Sequence, residues 1–389
     1  MKKLIAVLLA ALLLTAAIAC TAKPAADPQS TAAVAESTNT ATETEDGDEE
    51  ADYSFADGDQ YDTIGGELNI LNWGEYIDPT LLEIFQAETG VKVNYVEMTS
   101  NEDMVVKLRG ADNRFDLCFP SDYTIEKLIA DDLLQPLDRS KIPNAKNIQD
   151  RMYEITDTFD PGNTYSLPYM WGTVGILYNT TMVDDVVDSW DILWNEKYAG
   201  QIWQYDSIRD ALAVSLLRLG YDMNTVNPDE ITAAKDELIK QIPLLKGLGT
   251  DNIRSSMINN KAALAVVYAG DALMCMDENE DLSYVVPKEG SNVWFDNVVI
   301  PKTAKNLEAA HAFINFLNDA NLAARNTEFI YYSTPNQGAM DRLSEEFTEN
   351  TTFNPDDATL SRCKVYHDLG TNIELYTKAW DEFVSAMGN

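Results

Sequence analysis

The sequence is short of positive charge and of the residues that carry most enzyme chemistry. Its 389 residues hold 28 Lys and Arg against 64 Asp and Glu, a formal net charge of −36. Such a surface repels nucleic acid, whose phosphates need a basic face, and attracts cations. There are only two histidines, His311 and His367, and neither stands at metal-ligand spacing. Four cysteines give no pair at metal or thioredoxin spacing. The chain has no Gly-x4-Gly-Lys-Ser/Thr phosphate loop and no Gly-x-Ser-x-Gly elbow. No two acids stand at a spacing that would define a glycoside-cleaving pair. The expectation is a non-enzyme with no metal and no cofactor.

What is present begins at the N-terminus. Lys2 and Lys3 precede an apolar run from Leu4 to Ile18, broken only by Thr15. It is too short and wrongly flanked for a stable membrane span and reads as a signal peptide over residues 1–19. Ala17-Ile18-Ala19-Cys20 resembles a bacterial lipobox, with Ala17 where leucine is usual, so Cys20 is the expected lipidation site. The alternative is ordinary cleavage beside a chance cysteine. Residues 21–62 hold twelve acids and one lysine with almost no large apolar side chains before Tyr53, a composition that cannot bury enough surface to offset ordering. With Cys20, they read as a lipidated, acidic, disordered tether (20–62). Once Cys20 is set aside, Cys118, Cys275 and Cys363 remain, so at least one thiol is free. Cys118, in Phe115-Asp-Leu-Cys-Phe119, reads as core.

The body, 63–389, still carries −27 and is long enough for two lobes. Its first part alternates strands (68–73, 91–96, 115–119) with helices that start at Asp78-Pro79, at Ser100 and near Tyr123. This βαβαβα order implies a parallel sheet with helices on both faces. The middle part repeats the character, with strands at 174–178, 263–268 and 294–300 and helices at 209–220 and 229–245. A short helix near Trp190 is capped by Asp188 or Ser189, and helices at 305–318 and 320–329 precede the Ser333-Thr-Pro-Asn336 turn.

Ligands of open α/β sheets bind outside the carboxyl ends of strands. There the sequence places Trp73, Glu75 and Tyr76; Ser121, Asp122 and Tyr123; Tyr205, Asp206, Ser207, Arg209 and Asp210; Tyr268 and Asp271; Trp294 and Asp296; and Tyr331 and Tyr332. Aromatics and carboxylates recur together. A linear polyamine asks for that mixture, because each ammonium needs an acid and each methylene wants apolar contact worth about 0.8 kcal/mol. Aromatic faces give the contact and add a cation–π attraction of roughly 0.5–2 kcal/mol. An anion site would use helix N-termini and arginines instead. Taken singly, Trp73, Tyr268 and Trp294 also read as core, Asp78 and Asp188 as caps, and Asp206, Ser207 and Asp271 as caps equally well.

Asn72-Trp-Gly-Glu-Tyr76, Phe119-Pro-Ser-Asp-Tyr123, Ser166-Leu-Pro-Tyr-Met-Trp-Gly-Thr173, Val286-Pro-Lys-Glu-Gly290 and Trp294-Phe-Asp296, with Arg209-Asp-Ala-Leu212, Leu219-Gly-Tyr221 and Ser333-Thr-Pro-Asn336, together resemble the spermidine/putrescine-binding proteins of ABC transporters. The resemblance implies an extracytoplasmic substrate-binding lipoprotein with the type II periplasmic-binding-protein fold. It has two α/β lobes, 67–170 with 297–335 and 171–296 with 336–389, and a cleft between them. It implies that Trp73 and Tyr76 form walls, that Ser121 and Tyr123 hold an amine, and that Asp210, Trp294, Asp296 and Tyr332 line the cleft. The chain departs from the family pattern at Ser207, beside Asp206, at Tyr268, where tryptophan is frequent, and at Tyr366 or a neighbour in Val365-Tyr-His-Asp-Leu369, where a polar amide can stand. Implied partners are a polyamine, the permease subunits and, through Cys20, the membrane, with the chain acting as a monomer. A different organic cation, an amino acid, a metal chelate or a sensory role are the competing readings.

Overall fold

Alternating apolar positions make β1 (Glu67–Trp73), whose Leu68, Ile70 and Leu71 are fully buried. The structure, a computed structural model, describes residues 63–110 and 113–388. The expected signal peptide, Cys20 and the whole of the tether lie outside these residues. After β1 come α1 (Pro79–Thr89), β2 (Lys92–Met98), α2 (Asn101–Arg109), β3 (Leu117–Cys118) and α3 (Asp122–Ala130). Asp78 caps α1 by accepting from Thr80 N (2.9 Å) with Pro79 at its first turn, and Gly90 ends it at φ 68°. Asp78 also pairs with Arg325 at 2.6 Å, so it is structural.

β4 (Ser166–Asn179) is much longer than the 174–178 read from the sequence. A short 3-10 helix, Trp190–Trp194, is capped by Ser189. Then follow β5 (Ile202–Tyr205), β6 (Leu245–Gly249), β7 (Leu264–Tyr268), β8 (Leu282–Val285) and β9 (Val293–Val299). Between and after them lie α4 (Asp150–Thr156), α5 (Ile208–Arg218), α6 (Pro228–Gln241), α7 (Asp251–Ile258), α8 (Ala269–Glu278), α9 (Leu307–Leu317) and α10 (Ala320–Ile330), and a last long helix is Ile373–Met387. Among the described residues, no helix is long and apolar enough to cross a membrane.

The strands run in the order β2-β1-β3-β9-β4-β7-β5-β6, with β8 beside β4. β1 pairs parallel with β2 and β3, and β5 parallel with β6 and β7. β9 is antiparallel to β3 and β4, and β4 is antiparallel to β7 and β8, so the sheet is mixed rather than wholly parallel. β4 joins the two halves of this sheet. Its first half, Ser166–Thr173, pairs with β9, and its second half, from Val174, pairs with β7 and β8. A bulge sits within the first half: β4 steps from Pro168 to Met170 while β9 steps only from Asn297 to Asp296, so Tyr169 is extra.

The cysteines and one histidine are absorbed into the scaffold. Cys118 and Cys275 are buried, Cys363 is half-buried, and all three are free. His311 Nε2 accepts from Asp138 N at 3.0 Å, and Nδ1 lies 2.7 Å from Leu307 O. The entry to β4 depends on buried Asp160, which accepts from Thr164 N, Tyr165 N, Ser166 N and Ser166 Oγ at 2.8–3.1 Å. Removing it strands these donors. Asp160→Ala should cost about 3 kcal/mol, read as a lower urea midpoint at unchanged slope, and Asp160→Asn should cost less.

Candidate functional site

Period-2 geometry puts Trp294 and Asp296 on one face of β9 and Phe295 on the other. Phe295 is fully buried and stacks on Trp171 with ring centres 6.0 Å apart. On the opposite face, Asp296 Oδ1 accepts from Ser121 Oγ at 2.6 Å and Oδ2 accepts from Tyr76 OH at 2.9 Å. Ser121 stands at the start of α3 and Tyr76 on the turn after β1, so three separate segments meet at one carboxylate. Asn101 Nδ2 donates to both Ser121 Oγ (3.0 Å) and Tyr123 OH (3.1 Å) and fixes that corner.

A second carboxylate is built in the same way. Asp210, in the first turn of α5, accepts from Tyr268 OH at 2.8 Å and from Tyr366 OH at 3.0 Å. Behind it the Arg209 guanidinium lies over the rings of Tyr366 (4.3 Å), Tyr376 (5.3 Å) and Tyr123 (5.9 Å) and donates to His367 O.

Aromatic rings join the two acids. Tyr205 meets Tyr268 at 4.9 Å, Tyr268 meets Trp294 at 6.0 Å, and Trp294 meets Tyr332 at 5.0 Å. Tyr332 then meets Tyr76 at 5.9 Å, Tyr76 meets Tyr169 at 5.6 Å, and Tyr169 meets Phe119 at 4.7 Å, every pair edge-to-face. Two glycines make room for this. Trp294 faces Gly172 across the β4–β9 pairing, where a Cβ would come within 2.8 Å of the indole. A Cβ on Gly270 would lie 2.3–2.8 Å from the Tyr332 ring.

Burial pushes the Asp296 carboxyl up to about 6, against the pull of the Ser121 and Tyr76 hydroxyls. Burial also lifts Asp271 to about 6, opposed by Arg254. Asp122 rises well above the carboxylate range through burial, although the Tyr123 and Phe295 amides donate to it. The buried phenols of Tyr76, Tyr268, Tyr332 and Tyr366 are all held well above their ordinary value by desolvation and by nearby acids, so they remain neutral donors.

Tyr76, Ser121, Asp210, Tyr268, Trp294, Asp296, Tyr332 and Tyr366 thus converge. Trp73 flanks them, its indole N–H donating to Phe119 O at 2.9 Å, and Tyr123 is tied to Asn101. Asp122 is turned to backbone amides. Three expected contributors stand apart. Glu75 is exposed at a left-handed φ of 52°, Asp206 is exposed, and Ser207 Oγ accepts from Asp210 N at 3.4 Å as the cap of α5. For Ser207 the capping role is what positions Asp210. Tyr169, Asn101, Gly172 and Gly270 support this ring system without having been singled out from the sequence, whereas Tyr205 was noted at its strand end but not among the residues the resemblance implies. Tyr169 and Gly172 lay inside a recognised motif, and Asn101 carried no signal because its partners are 20 and 22 residues away.

The arrangement is a run of rings joining two hydroxyl-bracketed acids. Among the described residues no group of His, Cys, Asp and Glu is placed to hold a metal ion. The sequence profile of the bacterial extracellular solute-binding proteins matches residues 80–355. The chain belongs to that family. It is 36% identical over 317 residues to the spermidine/putrescine-binding periplasmic protein of Escherichia coli, which covers 81% of this chain and 90% of the relative. The solved spermidine/putrescine ABC transporter substrate-binding protein PotD from Streptococcus pneumoniae is 41% identical with a TM-score of 0.75, over 83% of this chain and all of that one. The Tp0655 (TpPotD) lipoprotein of Treponema pallidum is 27% identical, also at 0.75, over 82% of this chain and 99% of its own. The fold of this solute-binding protein is therefore the type II periplasmic-binding-protein fold expected from its motifs.

The raised Asp296 carboxyl has a measurable consequence. Its folded value, about 6, lies above the ordinary 3.8, so its contribution to stability is full below about pH 4 and is lost as pH rises through 6. Asp296→Asn removes the charge, its Oδ1 accepting from one hydroxyl and its Nδ2 donating to the other oxygen. At pH 8 it should stabilise the ligand-free protein by on the order of 2–3 kcal/mol, with a higher melting temperature, and the gain should vanish at pH 4.

Proposed function

We propose that this solute-binding protein captures a polyamine, spermidine or putrescine, in its cleft and delivers it to the permease of an ABC importer. The observation that carries this reading is the pair Asp210 and Asp296, each held by two neutral hydroxyls and joined by an unbroken edge-to-face run of rings. Ammonium groups pair with the acids. The methylenes between them lie on Trp294, Tyr268 and Tyr332, each gaining about 0.8 kcal/mol on burial. Ring faces add roughly 0.5–2 kcal/mol per cation. The names of the relatives support the same ligand class.

Two positions that depart from the family pattern become intelligible in this reading. Tyr268 and Tyr366 supply the two phenols that bracket Asp210. Trp73, Tyr76, Ser121 and Tyr123 form the opposite wall. The lobes, 67–170 with 297–335 and 171–296 with 336–389, close on the ligand, with β4 and β9 crossing between them, and the closed shape is what the permease reads. The chain performs no chemistry on its cargo and acts as a monomer. Relatives of this family are periplasmic, so the protein is extracytoplasmic. We assign its retention there to lipidation of Cys20, and Cys20→Ala should move the protein from the membrane fraction to the soluble one.

Calorimetric titration tests the ligand class. One-to-one binding of spermidine or putrescine, with arginine and maltose silent, is the expected result, and Asp296→Ala should abolish it without unfolding the chain. Silence with every amine, on protein first stripped of carried-over ligand, would refute the reading. Because an ammonium requires ionised Asp296, affinity should be about tenfold weaker at pH 5 than at pH 8, with proton release on binding near pH 6.

A further inference from the structure

We infer that Arg254 sets the charge count of the cleft: paired with Asp271 beside the rings, it leaves two acids for the ligand and matches the site to a diamine rather than a triamine. This rests on the polyamine reading and sharpens it. Asp271 lies in the first turn of α8, directly after Gly270, whose backbone abuts the Tyr332 ring, and three residues after Tyr268. Burial, and after it the charge of Asp271, raises the phenols of both Tyr205 and Tyr332. Asp271 would be a natural third anchor. Its position is already taken.

Arg254, on α7, brings Nε to 3.5 Å from Asp271 Oδ1. One of its terminal nitrogens donates to Asp251 Oδ1 at 3.2 Å and the other to Met274 Sδ at 3.4 Å. A guanidinium stays charged at any working pH. Held at three points, it is not free to swing toward a ligand carboxylate, so the pair does not convert the cleft into an amino-acid site. A third ammonium arriving at Asp271 would have to compete with a tethered cation and would meet like charge. Left elsewhere in the cleft without an acid, it would carry a large desolvation cost. Asp122 offers no substitute, because it is turned to the amides of Tyr123 and Phe295. Asp210 and Asp296, by contrast, face the rings with neutral hydroxyl partners.

The test titrates putrescine and spermidine into the full chain and reads the ratio of their affinities. The wild type should bind putrescine at least as tightly as spermidine. Arg254→Gln frees Asp271 and should shift the ratio toward spermidine by about tenfold or more, equivalent to about 1.4 kcal/mol, while Arg254→Lys should keep the wild-type ratio. Asp271→Asn removes one of the two acids paired with Arg254, leaving Asp251, and should move the ratio the opposite way, which keeps the test decisive if Arg254→Gln does not fold. A wild-type preference for spermidine, or ratios that neither substitution moves, would overturn the inference while leaving polyamine binding intact. No heat with either amine would instead overturn the underlying reading.

Discussion

Much of this molecule is arranged around one buried carboxylate. Asp296 sits in the middle of the sheet, on a strand flanked on both sides by others, where a charge is most costly. Two hydroxyls reach it, one from the turn after β1 and one from the start of α3, and they satisfy its oxygens without neutralising it. The protein therefore carries a charge that a hydrophobic or amide side chain would relieve. At such an acid, stability is given up for a charge held in place.

The rings depend on the backbone as much as on their own packing. Trp294 lies where it does because Gly172 faces it across the pairing with β4, and Tyr332 because Gly270 presents no side chain. The bulge in β4 supplies the extra residue Tyr169, whose hydroxyl holds Tyr76 O at 2.7 Å and is itself held by Asn326 at 2.8 Å. Tyr76 in turn donates to Asp296. A local irregularity in one strand is thus transmitted through two phenols to the central acid. The second acid has an equivalent support, in which Ser207 caps α5 and Arg209 backs Tyr366.

Much of the fold was legible because its signals are local. Asp78-Pro79 and Gly90 bound α1 through capping chemistry that needs no tertiary partner, and Ser100 does the same for α2. Buried runs such as Leu264–Tyr268 announce strands by composition. Strand length was less legible. β4 extends eight residues upstream of the reading from sequence, through Pro168, because pairing with β9, and not propensity, makes that stretch a strand. The short strands Ile202–Tyr205, Leu245–Gly249 and Leu282–Val285 were missed for the same reason.

The candidate site divides along the same line. The sequence by itself determined which residue types stand at the strand ends, the acidic and arginine-poor character that favours a cation, and the motif set that marks the family. Only the tertiary structure decided which acids turn inward. Glu75 and Asp206 stand beside Tyr76 and Ser207 in the chain, yet both are exposed, while Asp210 and Asp296 are buried. Spacing along a loop does not fix side-chain direction. The hydroxyls that make burial of each carboxylate tolerable come from residues 58 to 220 positions away. Partners so distant in the chain leave no mark on the local pattern of the acid they hold.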